Sequence, residues 1–334
     1  MMPDIIGRQN RRVEMNEIAI IIPGYNCEKY IQKCLKSIFL QKYNDYTIFF
    51  IDDGSTDSTK DIVTSIRNEH LIYKYQLNAG VSVSRNMGLH LAKEFEYIMF
   101  IDADDWLEEG ALEIAARCIE QSNKADFILF DWNEYRIREG EKECVYCKMN
   151  NNFTTNITME SLRKHMARSR AGGSPWGKLF KNKVITEYGL EFIANLPYAE
   201  DYLFNLSFIL NAENIFYCPR AIYGYNCYQS GARAKFRKNL MDIYMQIEDE
   251  KFKLFSTTDF EYSGLLKSEL LEQLSIALLN LRNVSFSSEE RKNEKNKAKQ
   301  FLRLHHIRIG DVIKSNTNIK VKTYVAMFML GLLG

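Results

Sequence analysis

No charge of either sign predominates in this chain: 44 lysines and arginines stand against 43 aspartates and glutamates, leaving a net charge of +1 over 334 residues. That balance lacks the electrostatic footprint of a nucleic-acid-binding protein. The uncharged stretch after Lys322 runs for twelve residues, Thr323 to Gly334, well short of the roughly 20 that a helix needs to span a bilayer. No secretory signal opens the sequence and the seven cysteines are an odd number, so reduced thiols and a cytoplasmic location are expected. Cys144 and Cys147 have the spacing of half a zinc site, but no second close pair accompanies them, which argues against a structural zinc. The Gly-rich dinucleotide fingerprint is also missing after the first predicted strand, where Pro23-Gly24-Tyr25-Asn26 stand instead.

What is present is enough apolar material for a core, 46% of residues, and 13% aromatics, which excludes extended disorder. The length favours one large domain plus a smaller appendage. Residues 1–16 carry Arg8, Arg11 and Arg12 without an apolar stretch and read as a loose, weakly basic arm. From about residue 17 apolar strands alternate with helical patterns. Strands are expected at Ile18 to Ile22, Tyr46 to Ile51, Ile72 to Gln76, Tyr97 to Ile101 and Asp126 to Asp131. Helices are expected near 31–39, 57–69, 82–94 and 109–122. This alternation implies an α/β fold with parallel pairing and right-handed crossovers. Trp132 to Asn156 reads as a hairpin extension turning at Glu139-Gly140-Glu141, and after about Lys235 the pattern becomes long and helical.

The chemistry-bearing residues gather where strands end. The strand from Tyr97 runs into Asp102, Asp104 and Asp105, and side-chain alternation can put Asp102 and Asp104 on one side of its end. Hard oxygen ligands in that pattern suit Mg²⁺ or Mn²⁺ shared with phosphates; capping of the next helix is the other reading. The strand from Tyr46 ends in Asp52-Asp53-Gly54-Ser55-Thr56-Asp57. Ligands of open parallel sheets lie beyond such carboxyl ends. Farther along, Gly172-Gly173-Ser174-Pro175-Trp176-Gly177-Lys178 precedes Glu200-Asp201, which opens an apolar helix. Those two acids either complement the helix dipole or include a general base.

Taken in order, Pro23-x-Tyr25-Asn26-x-Glu28-x-Tyr30, Asp52-Asp53-Gly54-Ser55-Thr56-Asp57, Asn78-x-Gly80 with Ser84-Arg85-Asn86-x-Gly88, Asp102-Ala103-Asp104-Asp105, Trp176-x-Lys178-Leu179-Phe180 and Glu200-Asp201 resemble the family 2 glycosyltransferases of GT-A fold. The resemblance covers about residues 17–230. It implies a Rossmann-like, mostly parallel sheet flanked by helices as a catalytic domain over 17–234, with a helical region over 235–334. It further implies inverting transfer of a sugar, most often from a UDP-sugar, to a hydroxyl of a glycan or lipid-linked acceptor in bacterial surface polysaccharide assembly. Carried over by position, Pro23, Tyr25 and Glu28 line the nucleotide pocket and Asp53 bonds the base. Asp102 faces the ribose and the metal, Asp104 ligates Mn²⁺ or Mg²⁺, Trp176 and Glu200 border the sugar and acceptor, and Asp201 is the base. Arg85 is placed as a phosphate contact, with helix capping or pairing to Asp105 as alternatives. The Gln-x-x-Arg-Trp signature of processive synthases is absent, the nearest stretch being Gln229 to Arg233, so addition of one sugar is expected. A nucleotidyltransferase and a silent sugar-nucleotide-binding protein are the competing readings. At the chain's end, Lys314, Lys320 and Lys322 with Tyr324, Val325, Phe328, Met329 and Leu332 either meet a membrane surface peripherally or pack on the helical region.

Overall fold

The computed structural model describes residues 18–138, 141–149, 157–168, 173–196, 198–227, 239–256, 266–282, 286–315 and 318–332. The expected basic arm, the tip of the hairpin turn, Gly172, Pro197, Gln229 to Arg233 and the proposed boundary at 234 lie outside these residues.

Strands β1 (Ile18–Gly24), β2 (Tyr46–Asp53), β3 (Leu71–Gln76) and β4 (Tyr97–Phe100) pair in parallel in the order β3-β2-β1-β4. Helices α1 (Ile31–Phe39), α2 (Thr59–Ser65), α3 (Val81–Leu91) and α4 (Ala111–Gln121) alternate with them. Every residue of β1, β2 and β4 is buried. That explains continuous rather than alternating apolar runs, because a parallel sheet covered on both faces leaves no side for polar residues. Ile18, Ile20 and Ile22 pack with Leu35 of α1 and Leu112 of α4, whereas Ala19 and Ile21 pack with Leu89 of α3.

The sheet continues through β8 (Lys178–Lys181), β6 (Phe127–Arg138), β9 (Ile215–Asn226) and β5 (Trp106–Leu107), with β7 (Glu141–Cys147) completing a hairpin on β6. Here β8 runs antiparallel to both β4 and β6, while β6 and β9 are parallel. The half of the sheet from β3 to β4 is therefore parallel and the rest mixed. Between the strands lie α5 (Met159–Arg168), α6 (Asn182–Tyr188) and α7 (Glu200–Asn211).

Helices α8 (Leu240–Ser256), α9 (Leu266–Asn280), α10 (Ser288–Leu304), α11 (Ile309–Lys314) and α12 (Ile319–Met329) follow. A capping box between Ser287 and Glu290 fixes the start of α10. Their apolar residues, among them Ile247, Leu274, Phe301 and Val325, belong to the same core as Phe204 and Phe208 of α7 and Ile21 of β1. Val325 and Phe328 are thus core residues. The expectation that these two enter a membrane interface is corrected, since leaving that core would expose apolar surface at ~25 cal/mol per Å². Among the described residues no helix is long and apolar enough to cross a membrane. Cys144 and Cys147 are both unbonded thiols on β7. An odd separation along a strand sends side chains to opposite faces, so the two do not form half a zinc site.

Candidate active site

The carboxyl ends of β1, β2 and β4 meet in one edge, and the loops leaving β1 and β2 are laced together there. The Asn26 side chain accepts from Thr56 N at 2.8 Å, and Ser55 Oγ accepts from Asn26 N at 3.0 Å. Glu28 accepts from Ser58 N at 2.9 Å while its own N–H donates to Asp57. Pro23 is buried beneath this lattice and Tyr25, 53% exposed, stands at its lip. Gly54 turns the chain at φ +77°, where a Cβ would lie 2.7 Å from Asn78 N, so this tight approach requires glycine. Glu28 is therefore a loop fastener as well as a pocket candidate.

Asp53 is buried and holds three donors: Ala79 N and Gln76 Nε2 on Oδ1, at 2.9 and 2.6 Å, and Gly80 N on Oδ2 at 2.9 Å. A carboxylate has about four acceptor positions, so one on Oδ2 has no partner among the described residues. Asp52 is committed to Ser55 N and the Tyr73 hydroxyl. A charge-assisted bond from Asp53 to a base N–H is worth ~1.5–3 kcal/mol. Asp53→Ala is accordingly expected to weaken UDP binding about tenfold or more in calorimetry and, by freeing the 79–80 backbone, to lower the unfolding temperature. Lower thermal stability with unchanged UDP affinity would leave Asp53 a purely structural strand end.

The acidic end of β4 is crowded. Asp104 is exposed, Asp102 is part-buried and Asp105 is 1% exposed. Asp105 accepts from the Tyr223 hydroxyl at 2.6 Å and from Asn226 N at 2.8 Å, and Tyr223 in turn accepts from Asp102 N at 3.1 Å. Burial, followed by the charges of Asp102 and Asp104, pushes Asp105 up to about 8, and burial and Asp102 also raise Asp104. Asp105 thus serves, through these two bonds, as an anchor for β9.

Arg85 spans two acid groups. Gly88, three residues on, lies where a Cβ would be 2.4 Å from Ile21 Cγ2, so α3 can close on β1 and deliver Arg85 over the strand ends. Its Nη2 is 3.0 Å from Asp102 Oδ1 and its Nη1 3.5 Å from Glu200 Oε1, with the guanidinium 5.1 Å from the Phe192 ring centre. Asn86 fastens the same loop, donating to Phe192 O and accepting from Phe192 N, each at 2.8 Å. Arg85 thus bridges Asp102 and Glu200, and neither caps a helix nor pairs with Asp105.

Glu200 and Asp201 open α7 after Ala199, which sits at φ 66°. Both acids have raised proton affinity, Asp201 chiefly through burial and against the pull of Arg85, Glu200 through burial and repulsion from Asp201. Asp201 Oδ1 accepts from Tyr202 N at 2.8 Å. Lys178 is buried with its ammonium on the carbonyls of Ser174 and Trp176, at 2.6 and 3.2 Å, and burial pushes it down to about 7. It fixes the segment carrying Trp176, which stacks on Tyr223 at 4.7 Å and Tyr225 at 5.2 Å. Trp176 is only 6% exposed, so it forms a wall rather than a protruding platform.

The structure therefore joins Asp102, Arg85, Glu200 and Asp201, with Asp104 beside them, and sets Asp53, Tyr25 and Glu28 on the neighbouring strand ends. Sequence reasoning missed Tyr223, Asn226 and the part played by Lys178. Among the described residues no three Cys, His, Asp or Glu side chains form a closed metal cage. Two carboxylates at one strand end still fit a divalent ion that shares its shell with phosphate and water. Asp104, raised first by burial and then by the charge of Asp102, stands beside a second carboxylate whose repulsion such an ion would relieve.

Residues 19–174 match the profile described as Glycosyl transferase family 2. The chain is 28% identical over 273 residues to "Glycosyltransferase GlyA" of Streptococcus pneumoniae serotype 4, an alignment covering 79% of this chain and 38% of GlyA. It is 25% identical over 297 residues to "Uncharacterized glycosyltransferase EpsJ" of Bacillus subtilis, covering 87% and 85%. This chain thus spans under half the length of GlyA and most of EpsJ. The crystal structure of Staphylococcus aureus TarS 1-349 in complex with UDP-GlcNAc superposes with a TM-score of 0.72 at 22% identity, covering 94% of this chain and 92% of that one. That likeness is one of fold.

Proposed function

We propose that this chain is a family 2 glycosyltransferase of GT-A fold, and that it moves a single sugar from a UDP-sugar to a hydroxyl of a glycan or lipid-linked acceptor, with inversion, in surface polysaccharide assembly. UDP-GlcNAc is the first donor to try, because a fold neighbour binds it. The observation that carries the reading is the Asp102–Arg85–Glu200 chain, with Asp201 next in sequence. It brings a strand end suited to a diphosphate within two ion pairs of a candidate proton acceptor.

In this mechanism Tyr25, Glu28 and Asp53 hold the nucleotide, Asp53 through its remaining acceptor position on Oδ2. Asp102 and Asp104 would hold Mn²⁺ or Mg²⁺, which supplies charge neutralisation for the diphosphate leaving group. Trp176, backed by Tyr223 and Tyr225, shapes the wall beside the sugar. Asp201 takes the acceptor proton, which a hydroxyl of ordinary pKa cannot lose unaided near neutrality. Arg85 spreads one positive charge over both acid groups and keeps them from repelling each other apart. Such an enzyme, acting on a lipid-linked acceptor, would work at the cytoplasmic face of the membrane.

The test is UDP release from UDP-GlcNAc and other UDP-sugars with Mn²⁺, measured with and without candidate acceptors. Release that depends on acceptor supports the reading. Tight UDP-sugar binding with no turnover for any acceptor favours the silent binding protein, and pyrophosphate release favours a nucleotidyltransferase.

A further inference from the structure

The near-neutral charge of the whole chain conceals a strongly one-sided end. From Lys295 to Leu332 eight lysines and arginines face one acid, Asp311. Three of these eight, Lys299 and Arg303 of α10 and Arg308 just beyond it, rim a cavity of about 550 Å³ together with His306. Its remaining walls are Leu302, Ile307, Phe328 and Met329, so no acid faces it. Lys299, Arg303 and Arg308 are exposed and form no ion pair among the described residues. A second groove of about 290 Å³, sharing Phe328, lies against α12 and is lined by Arg282, Arg291 and Lys295 above apolar residues. Around this end Leu304, Ile313, Leu330 and Leu332 are more than half exposed.

Each feature alone is ordinary for a surface. Together they put cations over hydrocarbon, with further apolar side chains standing in water beside them. A soluble polyanion such as RNA would satisfy the cations and leave those leucines hydrated. An anionic lipid surface satisfies both, its phosphates meeting the cations and its acyl boundary taking the apolar residues. We propose that the end of α10, α11 and the outer face of α12 dock this protein on an anionic membrane, with lipid phosphates in the groove of Lys299, Arg303 and Arg308. Val325 and Phe328 stay in the core, and Leu330 and Leu332 are the residues that enter the interface. The docking face lies in the C-terminal helices and uses none of the donor-loop residues, so it stands whether or not the sugar-transfer reading does.

The full chain is sedimented with vesicles of phosphatidylcholine alone and of phosphatidylcholine with phosphatidylglycerol in equal parts. Binding to the mixed vesicles is expected, weakening as salt rises. Each cation near such a surface contributes about fivefold in binding, so Lys299→Gln with Arg303→Gln and Arg308→Gln should cost about a hundredfold. Leu330→Ser with Leu332→Ser should weaken binding at unchanged charge. Unfolding temperatures should match that of the parent chain in both variants, which separates lost docking from lost folding. Equal binding to neutral vesicles, undiminished binding by the triple variant, or binding to heparin in solution without binding to vesicles would each overturn the proposal.

Discussion

Asp201→Asn is expected to lower sugar transfer by about 10²- to 10⁴-fold, the usual range for loss of a general base, while UDP-sugar affinity is retained. The substitution keeps the size of the side chain and its contact with Tyr202 N but removes the proton acceptor. Ion pairing favours Asp201 over its neighbour. Glu200 already has a guanidinium at 3.5 Å, whereas among the described residues Asp201 makes no ion pair with Arg85 at that range. Burial raises the proton affinity of both acids. A higher pKa makes a stronger base so long as it stays ionised at working pH. The activity of the unmodified chain should therefore rise with pH along a limb lying above the usual aspartate value, as Asp201 loses its proton, and that limb should be missing in Asp201→Asn. If the variant instead lost donor binding and kept normal turnover at saturating donor, Asp201 would belong to the donor pocket and Glu200 would be the base to test.

Asp104→Asn should reduce turnover at least about a hundredfold, comparable to deleting one group that stabilises developing charge. Asp104 is exposed, so the change costs little stability, and unfolding temperatures should match those of the parent chain. Its effect on activity should shrink as Mn²⁺ is raised, because the remaining ligands bind the ion more weakly and not at all differently in kind. Asp102→Asn makes a harsher comparison, for it also strips a partner from buried Arg85. Full turnover of the unmodified chain in EDTA would remove the metal from the mechanism and leave Asp104 with no chemical task.

The parts of this fold that could be read from the residues are those where burial is simple. Strands β1, β2 and β4 are mainly apolar because both their faces are covered, and each leads into polar residues of the candidate site. Strand β9 escaped notice because Pro219-Arg220 interrupts it, and proline usually bars a central strand position. The structure accommodates the pair at a register shift, where Phe130 aligns with Cys218 and Asp131 with Ala221. With β9 unread, Tyr223 and Asn226 could not be connected to Asp105, more than a hundred residues earlier. Lys178 shows a different limit. A lysine in an apolar strand looks like an edge residue, and its burial on two carbonyls appears only once β8 is inserted between β4 and β6. The bridge made by Arg85 was half legible, since its neighbourhood to acids was expected but the partner was not.

The shared core behind the sheet bears on how such a chain can be recombined. The loops leaving β1 and β2 hang from one row of strand ends and are tied to each other by a few polar clasps. Helix α7, which opens with Glu200 and Asp201, instead packs against α5, α6 and α8 and shares one apolar core with α9 to α12. Lys251 of α8 is fully buried within 5.8 Å of the Tyr202 ring, the residue next to Asp201. Because β8 also pairs with β4 and β6, and β9 with β6, a segment exchanged with a relative anywhere behind the sheet would meet close-packed interior at both of its junctions, and replacing a single helix there is expected to lower stability more than replacing a loop at the strand ends.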